Sequence, residues 1–224
     1  MFTGMSLEVT RAYSNQIHGL NLAQAGTKTF NLSMQAYRLI DELKYRKDID
    51  FYQDWKMVTI IAGHNDLCSI VCNRPDFQAQ TETLHVAEAL DILYHHLPRT
   101  FVNLMPITDV SLLYDLKNLP LFCHIFRKWS CPCLFGPFQS GRFDKKLTQA
   151  WLDKYAEELD RLVASGRYDT KEDFTVVIQP TLIQGTLPTL PNGDIDLDFL
   201  APDCFHFGQR THALGIVYHL KTKL

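Results

Sequence analysis

The sequence predicts an α/β protein in which helices cover a largely parallel sheet. Three observations carry that reading. Short β-like runs alternate with helical patterns along the chain, and this alternation implies parallel strands joined by right-handed crossovers. The runs are apolar on both faces, as expected for strands covered from both sides. At 224 residues and 46% hydrophobic, the chain is long enough for a single core that buries roughly 70% of its unfolded surface. No internal repeat, low-complexity tract or linker divides it, so residues 1–224 read as one domain.

The strand candidates are Gly19–Ala23, Met57–Ala62, Thr100–Met105 and Phe174–Gln179. Between the first two, Ser33–Lys47 carries Met34, Tyr37, Leu39, Ile40 and Leu43 at helical spacing with a Ser cap. Gln78–Leu97 is a longer helix. So is Phe143–Ser165, where Leu147, Trp151, Tyr155, Leu159 and Leu162 form a core stripe. Gly166 ends that helix. Gly185–Asp198 reads as a polar loop, and a final helix is expected over about Gly208–Leu220.

Composition excludes several function classes. A formal net charge of −3, with scattered basic residues, gives no reason to expect nucleic acid. The longest apolar runs, such as Val58–Ala62, are strand-sized and far short of a membrane span. The opening Met-Phe-Thr-Gly-Met-Ser has neither the basic region nor the apolar stretch of a signal peptide. Cys68, Cys72, Cys123, Cys131, Cys133 and Cys204 allow 15 full pairings, so connectivity is open. Disulfides and buried thiols both fit, whereas Cys68-x3-Cys72 and Cys131-Pro-Cys133 are poor zinc spacings.

In sheets of this kind function sits at the carboxyl ends of the strands. Gly26, Asn65 and the Asp203/His206 pair all fall in loops at that edge. An Asp three residues before a His suits the orienting half of a nucleophile–His–Asp triad. The carboxylate fixes the imidazole tautomer and leaves the other ring nitrogen to take a proton. Asn65, just after a strand, can donate to an oxyanion, and a glycine such as Gly26 permits a tight turn whose amide faces an anion. The ordinary readings are turn residues, with Asp66 capping the next segment and His64 solvated. His95, His96, His212 and His219 read as structural or solvated. A dinucleotide fingerprint, a phosphate-binding loop and a Gly-x-Ser-x-Gly elbow are all absent from the sequence.

Taken together, these residues resemble the GDSL, or SGNH, family of ester hydrolases in its phospholipase B branch. Asn21-Leu-Ala-Gln-Ala-Gly26 is similar to the glycine block, and Gly63-His-Asn-Asp-Leu-Cys68 to the Gly-x-Asn-Asp block. Ala201-Pro-Asp-Cys-Phe-His-Phe207 matches the terminal block, and the stretches 101–104, 131–133 and 165–180 resemble the same branch. The resemblance implies a three-layer α/β/α domain with a flavodoxin-like parallel sheet. It implies deacylation of phospholipids, lysophospholipids or acylglycerols without metal or cofactor. His206 would be base and acid, Asp203 its orienter, and Gly26 and Asn65 the oxyanion donors. Relatives of this kind are extracellular or membrane-associated, which favours disulfides. The expected partner is a lipid ester, with a membrane surface reached through it.

The family's first block, Gly-Asp-Ser-Leu, supplies the nucleophile, and here its nearest string is Gly4-Met-Ser-Leu7. Only three residues precede Gly4, too few to build the strand that the serine should follow. Ser33 and Ser69 have ordinary cap or loop readings. The expectation is therefore an N-terminally incomplete domain, missing its first strand and its nucleophile, and weakly active or inactive. Without that strand its neighbours would pair directly or stand open. The alternative is a non-catalytic form that binds lipid or protein.

Overall fold

The computed structural model describes residues 2–10, 17–72, 79–136, 144–179 and 187–213. Its sheet has the order β2-β1-β4-β5-β6, formed by β1 (Phe2–Thr10), β2 (Ile17–Asn21), β4 (Trp55–Ile61), β5 (Thr100–Met105) and β6 (Phe174–Ile178). The short β3 (Gln24–Ala25) pairs with the start of β1. β4, β5 and β6 are parallel. β1 is antiparallel to both β2 and β4, so β2 runs in the same direction as the parallel trio.

The helices are α1 (Leu32–Tyr45), α2 (His64–Ser69), α3 (Ala79–His96), α4 (Leu121–Ser130), α5 (Pro132–Phe135) and α6 (Lys145–Ala164). Strand order places each step from β2 to β4 to β5 to β6 on the same side of its predecessor. Right-handed crossovers then put α1, α3 and α6 on one face, where α3 packs against both α1 and α6. Leu39, Ile40 and Leu43 of α1, Val86 and Leu90 of α3, and Tyr155 and Leu159 of α6 meet Val58, Ile60, Val102, Leu104 and Val176 of the strands in one core. A parallel sheet flanked by helices is the expected fold class.

The N-terminal segment departs from expectation. Residues 2–10 form a strand that runs through Gly4–Leu7 rather than ahead of it, and they occupy the place between β2 and β4 where the parallel first strand was expected to be missing. The two flanking strands neither pair directly nor stand open. The slot accepts the segment in reverse because ladder hydrogen bonds can form in either direction.

Other elements are also adjusted. In β4, Lys56, Val58 and Ile60 are buried while Met57, Thr59 and Ile61 are only partly so, so the two faces of that strand are unequally covered. α1 begins one residue before Ser33, with Asn31 at its cap position. Leu147 is exposed on α6, where Leu152 takes its place in the core stripe. Gly166, at φ +71°, ends that helix as expected. The start of a helix at 209–213 agrees with the last predicted element, whose remainder, including His219, lies outside the described residues.

Candidate active site

The Asp203–His206 pair is made by its own turn. An antiparallel bridge between Leu200 and Phe207 closes a loop, inside which the His206 carbonyl accepts from the Ala201 amide at 2.7 Å. Asp203 Oδ1 accepts the Phe205 and His206 amides at 3.0 Å each, and its Oδ2 is hydrogen-bonded to His206 Nδ1. An Asp two and three residues ahead of those amides closes such a turn by itself, and the same geometry lays the carboxylate against the ring. Burial would raise the Asp203 carboxyl, but the His206 ring and the two amides outweigh it and hold it below the usual carboxylate range.

Between the two residues, Cys204 adopts φ +59° and is bonded to Cys123 of α4. The other pairs are Cys68–Cys131 and Cys72–Cys133. They tie α2 and the turn after it to the α4–α5 corner. The three crosslinks thus run from the helix that carries Asn65, through α4 and α5, to the turn that carries His206. All six cysteines are paired.

Asn65 lies in the first turn of α2, whose N-cap is Gly63. Gly63 needs to be glycine: its φ is +115°, and a Cβ there would lie 3.0 Å from the Tyr155 ring. The Asn65 side-chain amide donates to the Thr27 carbonyl at 2.9 Å, next to Gly26 in its turn at φ +76°. A primary amide has two N–H donors, so fixing one on Thr27 fixes the plane of the other. The structure therefore joins Gly26 and Asn65 through Thr27.

Two neighbours of Asn65 behave unlike their expected roles. Asp66 reaches across to another segment: it is fully buried, and its carboxylate accepts the Thr29 amide at 3.1 Å and the Thr29 hydroxyl at 3.0 Å. Burial raises its pKa, with the Thr29 hydrogen bonds opposing. His64 is buried rather than solvated, and its Nε2 accepts the Thr108 amide at 3.0 Å. That bond requires a neutral ring protonated at Nδ1. Burial pushes the His64 pKa down to about 3.

Ser6 sits inside β1, opposite Asn21 and Thr59, and does not follow a strand as the family nucleophile does. The carboxyl end of β1 pairs with Trp55, the sheet edge away from Asn65. The Ser69 hydroxyl donates to the Asn65 carbonyl, and Ser111 donates to Gln149. Sequence reasoning overlooked Thr29 and Thr108, whose partners lie 37 and 44 residues away in the chain. It also overlooked Glu82, fully buried beside Asp66, whose carboxyl oxygens have no hydrogen-bond partner among the described residues. Among the described residues no group of His, Cys, Asp and Glu is arranged to hold a metal ion, and no helix is long and apolar enough to cross a membrane.

Comparison with known proteins identifies the relatives of the chain as a whole. Residues 3–214 match the model of the GDSL-like lipase/acylhydrolase family. The chain is 39% identical over 207 residues to the membrane-associated phospholipase B1 of Mus musculus, covering 91% of this chain and 14% of that protein. It is 38% identical over 206 residues to the protein of the same name from Rattus norvegicus, again with 91% and 14% covered. For Homo sapiens the values are 37% over 201 residues, 87% and 13%. The chain thus spans about one seventh of the length of these relatives.

Proposed function

The chain belongs to the GDSL-like lipase/acylhydrolase family, and from that premise we propose that its site serves carboxylic-ester hydrolysis on phospholipids, lysophospholipids or acylglycerols. In this reading His206 Nε2 takes the proton of the attacking hydroxyl and returns it to the leaving alkoxide. Asp203 holds the ring through Nδ1 and stabilises the imidazolium. The Gly26 amide and the Asn65 side chain receive the oxyanion. The observation that carries the reading is the Asp203–His206 hydrogen bond, built into a crosslinked turn. Three disulfides favour an oxidising, extracellular setting.

We further propose that residues 1–224 alone turn over esters weakly or not at all. Ser6 lies mid-strand on a strand of the wrong direction, and loss of a triad nucleophile costs on the order of 10⁶ in kcat. Purified chain and its His206→Ala variant should hydrolyse p-nitrophenyl butyrate at matching, near-background rates. Robust turnover that His206→Ala abolishes would overturn the weak-activity proposal, and loss of it in Ser6→Ala would make Ser6 the nucleophile. Replacing residues 1–16 by a parallel strand ending in Gly-Asp-Ser-Leu should create His206-dependent turnover. A folded replacement with no such gain would sink the ester reading itself.

A further inference from the structure

We propose that α4 is a lipid-docking helix that seats a phospholipid surface beside the Asp203–His206 turn. The choice of a lipid surface rests on the ester-hydrolase reading. The shape of α4 is independent of it. A helix on a water-soluble domain normally turns its apolar stripe inward. On α4, Leu121, Phe122, Ile125, Phe126 and Trp129 all face outward, with Leu121 78%, Ile125 60% and Trp129 81% exposed. These five positions fall within an arc of about 140°.

The opposite, buried side of α4 consists of Cys123 and Arg127. Cys123 is bonded to Cys204. The Arg127 guanidinium donates to the Leu113 carbonyl and lies 4.1 Å from the centroid of the Phe135 ring. Turning the apolar stripe inward would break the disulfide and expel a bonded guanidinium, so the outward face is fixed by the fold. The exposed side chains form a ridge along one face of the helix. It suits a deformable apolar phase, in which large side chains enter the acyl boundary while exposed Lys128 and His124, on one border of the stripe, stay level with phosphate. Cys204 lies between Asp203 and His206, so the ridge and the dyad are joined by one crosslink.

The test uses vesicles of ether-linked phosphatidylcholine, which offer no ester to hydrolyse. The chain should co-float with them, and brominated lipid should quench a tryptophan component that Trp129→Phe removes. Ile125→Asp combined with Trp129→Asp should lower the partition coefficient by roughly 30-fold or more, while Tyr45→Asp, an equally exposed aromatic on α1 (86%), should change it less than about twofold. Matching melting curves establish that the variants fold, and bromolipid quenching of the unmutated chain reads the same contact without them. Absence of wild-type binding, or equal binding by the double variant, overturns the proposal. So does a dimer that the double variant dissociates without any vesicle binding, since a second copy would then cover the ridge. Docking through α4, with no gain of turnover in the folded Gly-Asp-Ser-Leu replacement, sustains this inference while failing the ester reading, and His206-dependent turnover in that replacement without docking does the reverse.

Discussion

Removing Cys123–Cys204 should destabilise the domain more than removing either of the other two bridges. The reason is the size of the ring each one closes. Cys123 and Cys204 are 81 residues apart in the chain, and neither other bridge shortens that path. In the chain-entropy picture a loop of that size restricts the unfolded state by about 4.5 kcal/mol at 25 °C. Cys68–Cys131 and Cys72–Cys133 span 63 and 61 residues, yet they are nested almost on top of each other. With one in place, the second closes a ring of only about eight residues, worth about 2.5 kcal/mol. Double alanine variants at 123/204 and at 68/131 should therefore differ by about 2 kcal/mol in urea unfolding. In a chain of this length that amounts to a melting difference of about 4–8 °C. Equal losses, or a larger loss at 68/131, would refute the argument and point to native-state packing at the α2–α5 contact instead.

Two further predictions concern buried titratable groups. His64, with its pKa near 3 in the folded chain and about 6.5 unfolded, binds its proton more readily after unfolding. Its contribution is complete above about pH 6.5 and is lost as pH falls toward 3, by roughly 4 kcal/mol. His64→Gln, which can still accept the Thr108 amide, should flatten the stability slope over that window in urea titrations, and an unchanged slope would contradict the assignment. Glu82 has the opposite sign: burial lifts its pKa to about 10, so the folded state holds a proton that the unfolded chain releases above about pH 4.5. The stability it lends is present below that value and declines as pH rises toward 10. Glu82→Met should gain about 3 kcal/mol at pH 7 and little at pH 4, and equal effects at both pH values would count against a neutral Glu82.

Much of the sheet was legible because β4, β5 and β6 are short apolar runs between strong helical periods. β1 was not. Its assignment depends on a vacant place between β2 and β4, and nothing within Phe2–Thr10 reports that vacancy. α4 escaped for a different reason: hydrophobic periodicity locates helices that bury their apolar stripe, and α4 buries Cys123 and Arg127 instead. At the site, the Asp203–His206 spacing was readable because a single turn makes the contact. Asp66 was read as a cap because its true partner, Thr29, is remote in sequence. The disulfide pairing was beyond reach, since all 15 pairings are equal until α2, α4 and α5 are placed in space.

The reversed direction of β1 has a practical side. Gly4 pairs with Ile61, just before Gly63 and Asn65, while Thr10 pairs with Trp55 at the far edge. Any polypeptide attached ahead of Phe2 therefore leaves the sheet at the edge where the Asn65 turn begins. An affinity tag or a fused protein placed there would start beside the Asn65 turn, whereas one attached after Leu224 need not.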